Sequence, residues 1–244
     1  MTYQRTDVLP NMAGTIYWLA EPQKVLLEAL YQVEPDPDPV NLFEGTSFSE
    51  QASQSPYLFS ITAKGELVSS LMKEPRLFRG LLMTTVTPKT ALVSHLQSLL
   101  EVRFQQQRKA LLRYYDPRVA SYLLPSCTDC MLPRWLGPIN TLAWFGGTWM
   151  DEFEGTLRWH TMNQRNNTEY DSSQPLVLSD EQLQRIVDQG LERFAYRWLN
   201  SHPGHDMVRI LEKIRVGMAA GHREEGALTG WLDDQKQFLR EHYT

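Results

Sequence analysis

The 244-residue chain has only two cysteines, too few to staple a fold of this size with disulfides. They stand as Cys127-Thr128-Asp129-Cys130, a CxxC without the two further ligands that a tetrahedral zinc site needs close by. His202 and His205 form an HxxH, but more than 70 residues separate it from the cysteines. A redox CxxC wants a strand before it and a helix N-terminus under its first thiol. Here Pro125-Ser126 precedes it, after a predicted helix. The expectation is two ordinary thiols, with no metal and no cofactor. Dense Lys/Arg runs are also missing and the net charge is −5, so neither nucleic acid nor an anionic membrane surface is an expected partner. No apolar run approaches the ~18–20 residues needed to span a bilayer. The N-terminal MTYQRTDVLPNMAG lacks the apolar core of a signal peptide, so a cytoplasmic protein is expected. There is no G-x-S-x-G, no phosphate-binding glycine loop and no H-E-x-x-H.

What is present is an ample supply of core-forming residues, 42% of the chain, in two patterns. Met1–Asn11 reads as a loose terminus. Thr15–Ala20 (TIYWLA), Val40–Phe43, Pro56–Ile61 and Gly80–Val86 read as strands, by their β-branched and aromatic content. Pro22 opens a short helix whose Val25, Leu26, Ala29 and Leu30 share a face. The alternating acids and prolines of Glu34–Pro39 make a stiff loop. Glu66–Lys73 is a short helix after a Lys64-Gly65 turn. Thr87-Pro88 opens an amphipathic helix carrying Leu92, Val93, Leu96, Leu99, Leu100 and Phe104. Ile139–Phe145 and Thr156–Thr161 are expected to pair antiparallel. Past the polar stretch from Asn163 to Gln174 the pattern is helical only. Ser179 and Gln182 form a capping box. Three apolar stripes follow, Leu183–Leu199, Met207–Met218 and Leu228–Leu239. The expected fold is an α/β (α+β) N-terminal domain, 1–162, with a mixed sheet flanked by helices. A linker, 163–178, and a small all-helical C-terminal lobe, 179–244, complete it.

The chain is organised around Ala110–Leu124, ALLRYYDPRVASYLL. Ala110–Tyr115 reads as a buried strand. Asp116 is suited to N-cap a helix whose first residue is Pro117, because proline's missing N–H costs nothing there. Arg113, Asp116 and Arg118 then cluster at the strand end. Glu44 also falls at a predicted strand end, so Glu44 and Asp116 are a candidate carboxylate pair for acid–base work. Seven tryptophans are available for core or interfaces. Trp144, Trp149 and Trp159 stand near the last strands and the lobe boundary, as candidate partner-binding residues.

The ordered series Asn41–Thr46 (NLFEGT), Ser55–Ile61 (SPYLFSI), the strand and helix of Gly80–Phe104, Leu111–Val119 (LLRYYDPRV) and Leu136–Trp144 (LGPINTLAW) resembles one family. It is the effector-chaperone or adaptor family of the bacterial type VI secretion system, long catalogued as a domain of unknown function. The resemblance covers Thr15–Trp159. It rests most on Tyr115-Asp116-Pro117-Arg118, followed by Gly137-Pro138. It implies a cytoplasmic chaperone that binds a secreted effector toxin and helps load it onto the spike protein VgrG, with no catalysis. It also implies that Arg113, Asp116, Pro117, Arg118, Gly137 and Pro138 build the fold rather than touch cargo. The alternatives are a small hydrolase or transferase using Glu44 and Asp116, or a structural subunit of a larger assembly.

Overall fold

The computed structural model describes residues 2–12, 15–22, 30–31, 36–62, 65–77, 79–104, 108–164 and 175–241. The fold is α+β. Seven strands form the main sheet: β1 (Thr2–Thr6), β2 (Ile16–Ala20), β3 (Val40–Asn41), β4 (Tyr57–Ile61), β5 (Gly80–Thr84), β8 (Thr141–Gly146) and β9 (Arg158–Asn163). Their order is β1-β9-β8-β5-β2-β4-β3, antiparallel at each pairing. A second sheet, in the order β10-β6-β7, joins β6 (Glu101–Phe104), β7 (Arg108–Leu111) and β10 (Leu176–Val177). The parallel pairing lies here, between β10 and β6.

Strand β2 is buried at every residue, as an apolar, aromatic segment is when neighbours flank both edges and other layers cover both faces. Trp18 stands opposite Phe59 on β4 and Leu82 on β5, and Leu82 stands opposite Ala143 on β8. These four belong to one buried cluster with Ile16, Leu30, Leu67 and Trp159. Burying large rings at 1% and 0% exposure (Trp18, Phe59) stabilises the sheet by about 2 kcal/mol or more per side chain.

The helices are α1 (Glu66–Lys73), α2 (Lys89–Ser98), α3 (Pro117–Leu123), α4 (Leu132–Leu136), α5 (Trp149–Glu154), α6 (Asp180–Ser201), α7 (Met207–Ala219) and α8 (Glu225–Glu241). The chain divides into two compact units, 1–147 with 157–183, and 148–156 with 184–244. The first holds both sheets. The second has its own core of Trp198, Met207, Ile210, Ile214, Leu228 and Leu232, against which Trp149 and Met150 pack. This division differs from one cut near 163: α5 goes with the helical unit, while β10 and the start of α6 go with the sheets. The α5 segment begins with a capping box, Thr148 and Asp151 satisfying each other's backbone N–H groups.

Several expectations change. The N-terminus is not loose: β1 adds to β9 over five residue pairs, and the Tyr3 hydroxyl lies 2.7 Å from His160 Nδ1. Helix α2 stops at Ser98, so Leu99, Leu100 and Phe104 do not continue it; Glu101–Phe104 is strand instead. Thr87 does not cap α2; Pro88 takes the cap position, and Thr87 turns to the Thr85 hydroxyl at 2.9 Å. The predicted buried strand Ala110–Tyr115 is shorter and starts earlier, at Arg108–Leu111; it lies in the small sheet and is exposed or half-buried along its length. Residues 23–29 of the predicted Pro22 helix, Lys64, Gln105–Gln107 and most of the predicted linker (165–174) lie outside the described residues.

Candidate functional site

The motif around Asp116 is a folding element. Asp116 Oδ1 accepts the Arg118 backbone N–H at 2.8 Å, and its carbonyl accepts from Ala120 at 2.9 Å. Asp116 thus caps α3, with Pro117 in its first turn. The Pro117 carbonyl accepts the Ser121 hydroxyl at 2.7 Å, and Ser121 Oγ accepts the Trp144 indole N–H at 2.9 Å. The cap, α3 and β8 are therefore tied in one chain of hydrogen bonds.

Gly137 and Pro138 do comparable work on the other side of α4. Gly137 has φ +51°, and a Cβ there would overlap the His95 imidazole. His95 Nε2 lies 3.1 Å from the Trp135 carbonyl, which accepts its proton. Burial pushes His95 down to about 4, with the Trp135 hydrogen bond opposing and the Arg134 charge assisting. The Pro138 carbonyl accepts the Thr85 hydroxyl at 2.6 Å.

Charged groups converge where β2 ends. Glu21 follows Ala20, and its N–H donates to the Arg79 carbonyl at 3.0 Å, extending the β2–β5 ladder by one bond. Its carboxylate is buried between two arginines: Oε1 accepts from Arg113 Nη2 at 2.6 Å, and Oε2 lies 3.7 Å from Arg79 Nη1. Burial pushes the Glu21 carboxyl up, the nearby Asp116 charge adds to that, and Arg113 and Arg79 pull against it. The Arg113 guanidinium carbon also lies 5.9 Å from the Tyr115 ring centre. The carboxylate that feels Asp116 is thus Glu21, and the cluster that forms is Glu21, Arg79, Arg113, Tyr115 and Asp116. Glu44 is instead exposed, with its carbonyl held by Gln97 at 2.9 Å. The local sequence gives little hint of Glu21: it is an acid directly after an apolar strand, and only the β2–β5 register brings it to Arg79.

Two of the three partner-binding tryptophans are core. Trp144 has no exposed surface and stacks on His160 at 5.0 Å. Trp159 is 4% exposed and meets Phe145 edge-on at 5.5 Å. A side chain so enclosed does not reach a partner, and the expectation of a binding surface is withdrawn for both. Their strands β8 and β9 lie inside the sheet order, paired on both edges. Trp149 is half-buried in the helical unit, 5.0 Å from the Tyr196 ring.

The CxxC resolves into two different thiols. Burial pushes Cys127 up to about 12, against the opposing hydrogen bond from Gln182. That is the opposite of a reactive thiolate. Cys130 is exposed, with Sγ 3.1 Å from the Thr128 hydroxyl. His202 and His205 pack on Trp198 in the helical unit, at 4.0 and 5.5 Å. Among the described residues no three His, Cys, Asp or Glu side chains are gathered as a metal site would need. No helix there is long and apolar enough to cross a membrane.

A family model described as a domain of unknown function (DUF4123) matches residues 16–132. That stretch runs from β2 to the start of α4 and contains Glu21, Arg79 and the whole Arg113–Arg118 motif; Gly137 and Pro138 lie just past it. No curated protein and no solved structure matches the chain.

Proposed function

We propose that this protein is a cytoplasmic adaptor that binds a type VI secretion effector, a toxin, and helps load it onto the VgrG spike, without catalysis of its own. One observation carries the reading. The stretch matched by the family model, residues 16–132, contains most of the ordered motifs through which the sequence resembles the effector-chaperone family. The behaviour of the motif residues supports it. Asp116, Pro117, Gly137 and Pro138 are spent on capping, turning and close packing, as in a scaffold that presents a surface. Affinity purification from the native cytoplasm, with mass spectrometry and sizing of what is recovered, tests it. One large toxin-like protein, with or without VgrG, is the expected result. A clean monomer from cells that make the secretion system overturns the reading. A symmetric assembly of this chain alone would favour a structural subunit.

A further inference from the structure

The two edges of the main sheet are built differently. The β3 edge is two residues long and follows Asp36-Pro37-Asp38-Pro39. Beyond β3 the edge of β4 stays covered, because the Pro37 carbonyl accepts the Ser60 N–H at 2.8 Å. Prolines, charges and short length are the usual means of keeping a second chain off an edge. At the other edge stands β1, the outermost strand there among the described residues. It pairs with β9 through five consecutive residues without a bulge. It has no proline, glycine or lysine, and one charge, Arg5. Gln4 and Arg5 are exposed, and Tyr3 and Thr6 are half-buried. A strand paired on one side turns a second row of backbone N–H and C=O groups outward, a template for another strand.

The residues of that strand, Thr2-Tyr3-Gln4-Arg5-Thr6, suit pairing with themselves. About a two-fold axis at Gln4, an antiparallel ladder sets Thr2 against Thr6 of a second copy, Tyr3 against Arg5, and Gln4 against Gln4. Matched positions are always an even number of residues apart, so groups turned away from β9 in one chain meet groups turned away in the other. Arg5 comes opposite a tyrosine, so no like charges face each other across the ladder. An axis at Arg5 would set two arginines against each other, and one at Tyr3 would leave Thr6 out. We propose that β1 is the contact edge of a homodimer, in which a second copy adds antiparallel about an axis at Gln4 and joins the two seven-stranded sheets edge to edge. A five-residue ladder is a small contact beside the roughly 1,200–2,000 Å² of stable interfaces, so the pair is loose and depends on concentration.

Sedimentation equilibrium of the full chain over a concentration series tests this. The weight-average mass is expected to rise toward twice that of one chain. Gln4→Lys sets two lysines opposite each other and should weaken the pairing about fivefold or more, the upper end of what one cross-strand pair contributes. Gln4→Glu should do the same. An equimolar mixture of the two variants should associate again, because lysine then meets glutamate across the axis. Position 4 is exposed, so the thermal melt of each variant in dilute solution should match the parent. Val187→Lys, at an exposed position of α6, should leave the association unchanged. The proposal fails if the parent stays monomeric throughout, if Gln4→Lys pairs as the parent does, or if the mixture associates no better than either variant alone. A monomeric parent whose Gln4→Lys variant no longer captures effector would assign this edge to the cargo, and that too overturns the second copy. The adaptor reading is decided separately, by whether the purified protein carries an effector.

Discussion

Gly137 and His95 show how much one residue pair constrains this fold. The backbone at Gly137 turns to φ +51°, and the imidazole occupies the space a Cβ would need. Gly137→Ala therefore meets two penalties, roughly 1–2 kcal/mol for the left-handed backbone and an overlap with a buried ring. The expected loss is about 3 kcal/mol or more, measured by urea unfolding. His95→Ala alone leaves a cavity, but it opens room for the new methyl, so the double variant should lose less than the sum of the two single ones. Additive losses would show that the ring is not what excludes a side chain there. The same histidine sets a pH dependence. It is held near 4 in the fold, below the 6.5 of an unfolded histidine, so the native state carries fewer protons. Its contribution is complete above pH 6.5 and is lost as pH falls toward 4, up to about 3 kcal/mol for a shift of this size. His95→Gln keeps a donor for the Trp135 carbonyl without a titrating group. Thermal midpoints between pH 7 and 4 should fall less steeply in that variant, and equal slopes would place the acid sensitivity elsewhere.

At the scale of elements, α3 is seven residues long, too short to hold itself and dependent on its cap and its packing. Asp116→Ala should cost about 1 kcal/mol, and Asp116→Asn, which keeps the acceptor oxygen, distinctly less. A shift in the urea midpoint with an unchanged slope is the expected form. If both substitutions cost the same, the negative charge near Glu21 and Arg113 matters more than the cap. Such local signals are what made parts of the chain legible. Asp116-Pro117 announced α3, the capping box of Ser179 and Gln182 announced α6, and the run from Ile139 to Thr161 announced the antiparallel β8–β9 pair. The illegible elements are those made by pairing. β1, β6 and β10 are short and carry little strand pattern of their own; each is a strand because of its neighbour. Helical spacing through Leu99, Leu100 and Phe104 misleads because the same spacing continues past the turn at residues 99–100, where α2 gives way to β6. Glu21 was illegible for a related reason: the charges that define it arrive from residues 79 and 113. Trp144 and Trp159 are core rather than interface because aromatic content alone does not distinguish the two.

At the scale of the molecule, the sequence pattern suggested a sheet domain followed by helices, and the change of pattern near residue 163 looked like the boundary. The structure divides differently because the segment 148–156, inserted between β8 and β9, belongs to the helical unit. Trp149 and Met150 pack on that unit's core, the Trp149 ring meets Tyr196, and the Met150 N–H donates to Glu192 Oε2 at 3.1 Å. A short capped helix flanked by strands of one sheet gives no sequence sign that its apolar face packs elsewhere. The consequence is testable. Trp149→Ala removes a large ring from a small core, a loss of about 2–4 kcal/mol when half-buried contacts are included. If the two units open separately, hydrogen exchange should accelerate across α6, α7 and α8 while β2, β5 and β8 keep their protection. Acceleration spread equally over helices and sheet would mean that the molecule opens as a single cooperative body. Acceleration confined to 148–156 would detach α5 from the helical unit and restore a boundary near residue 163.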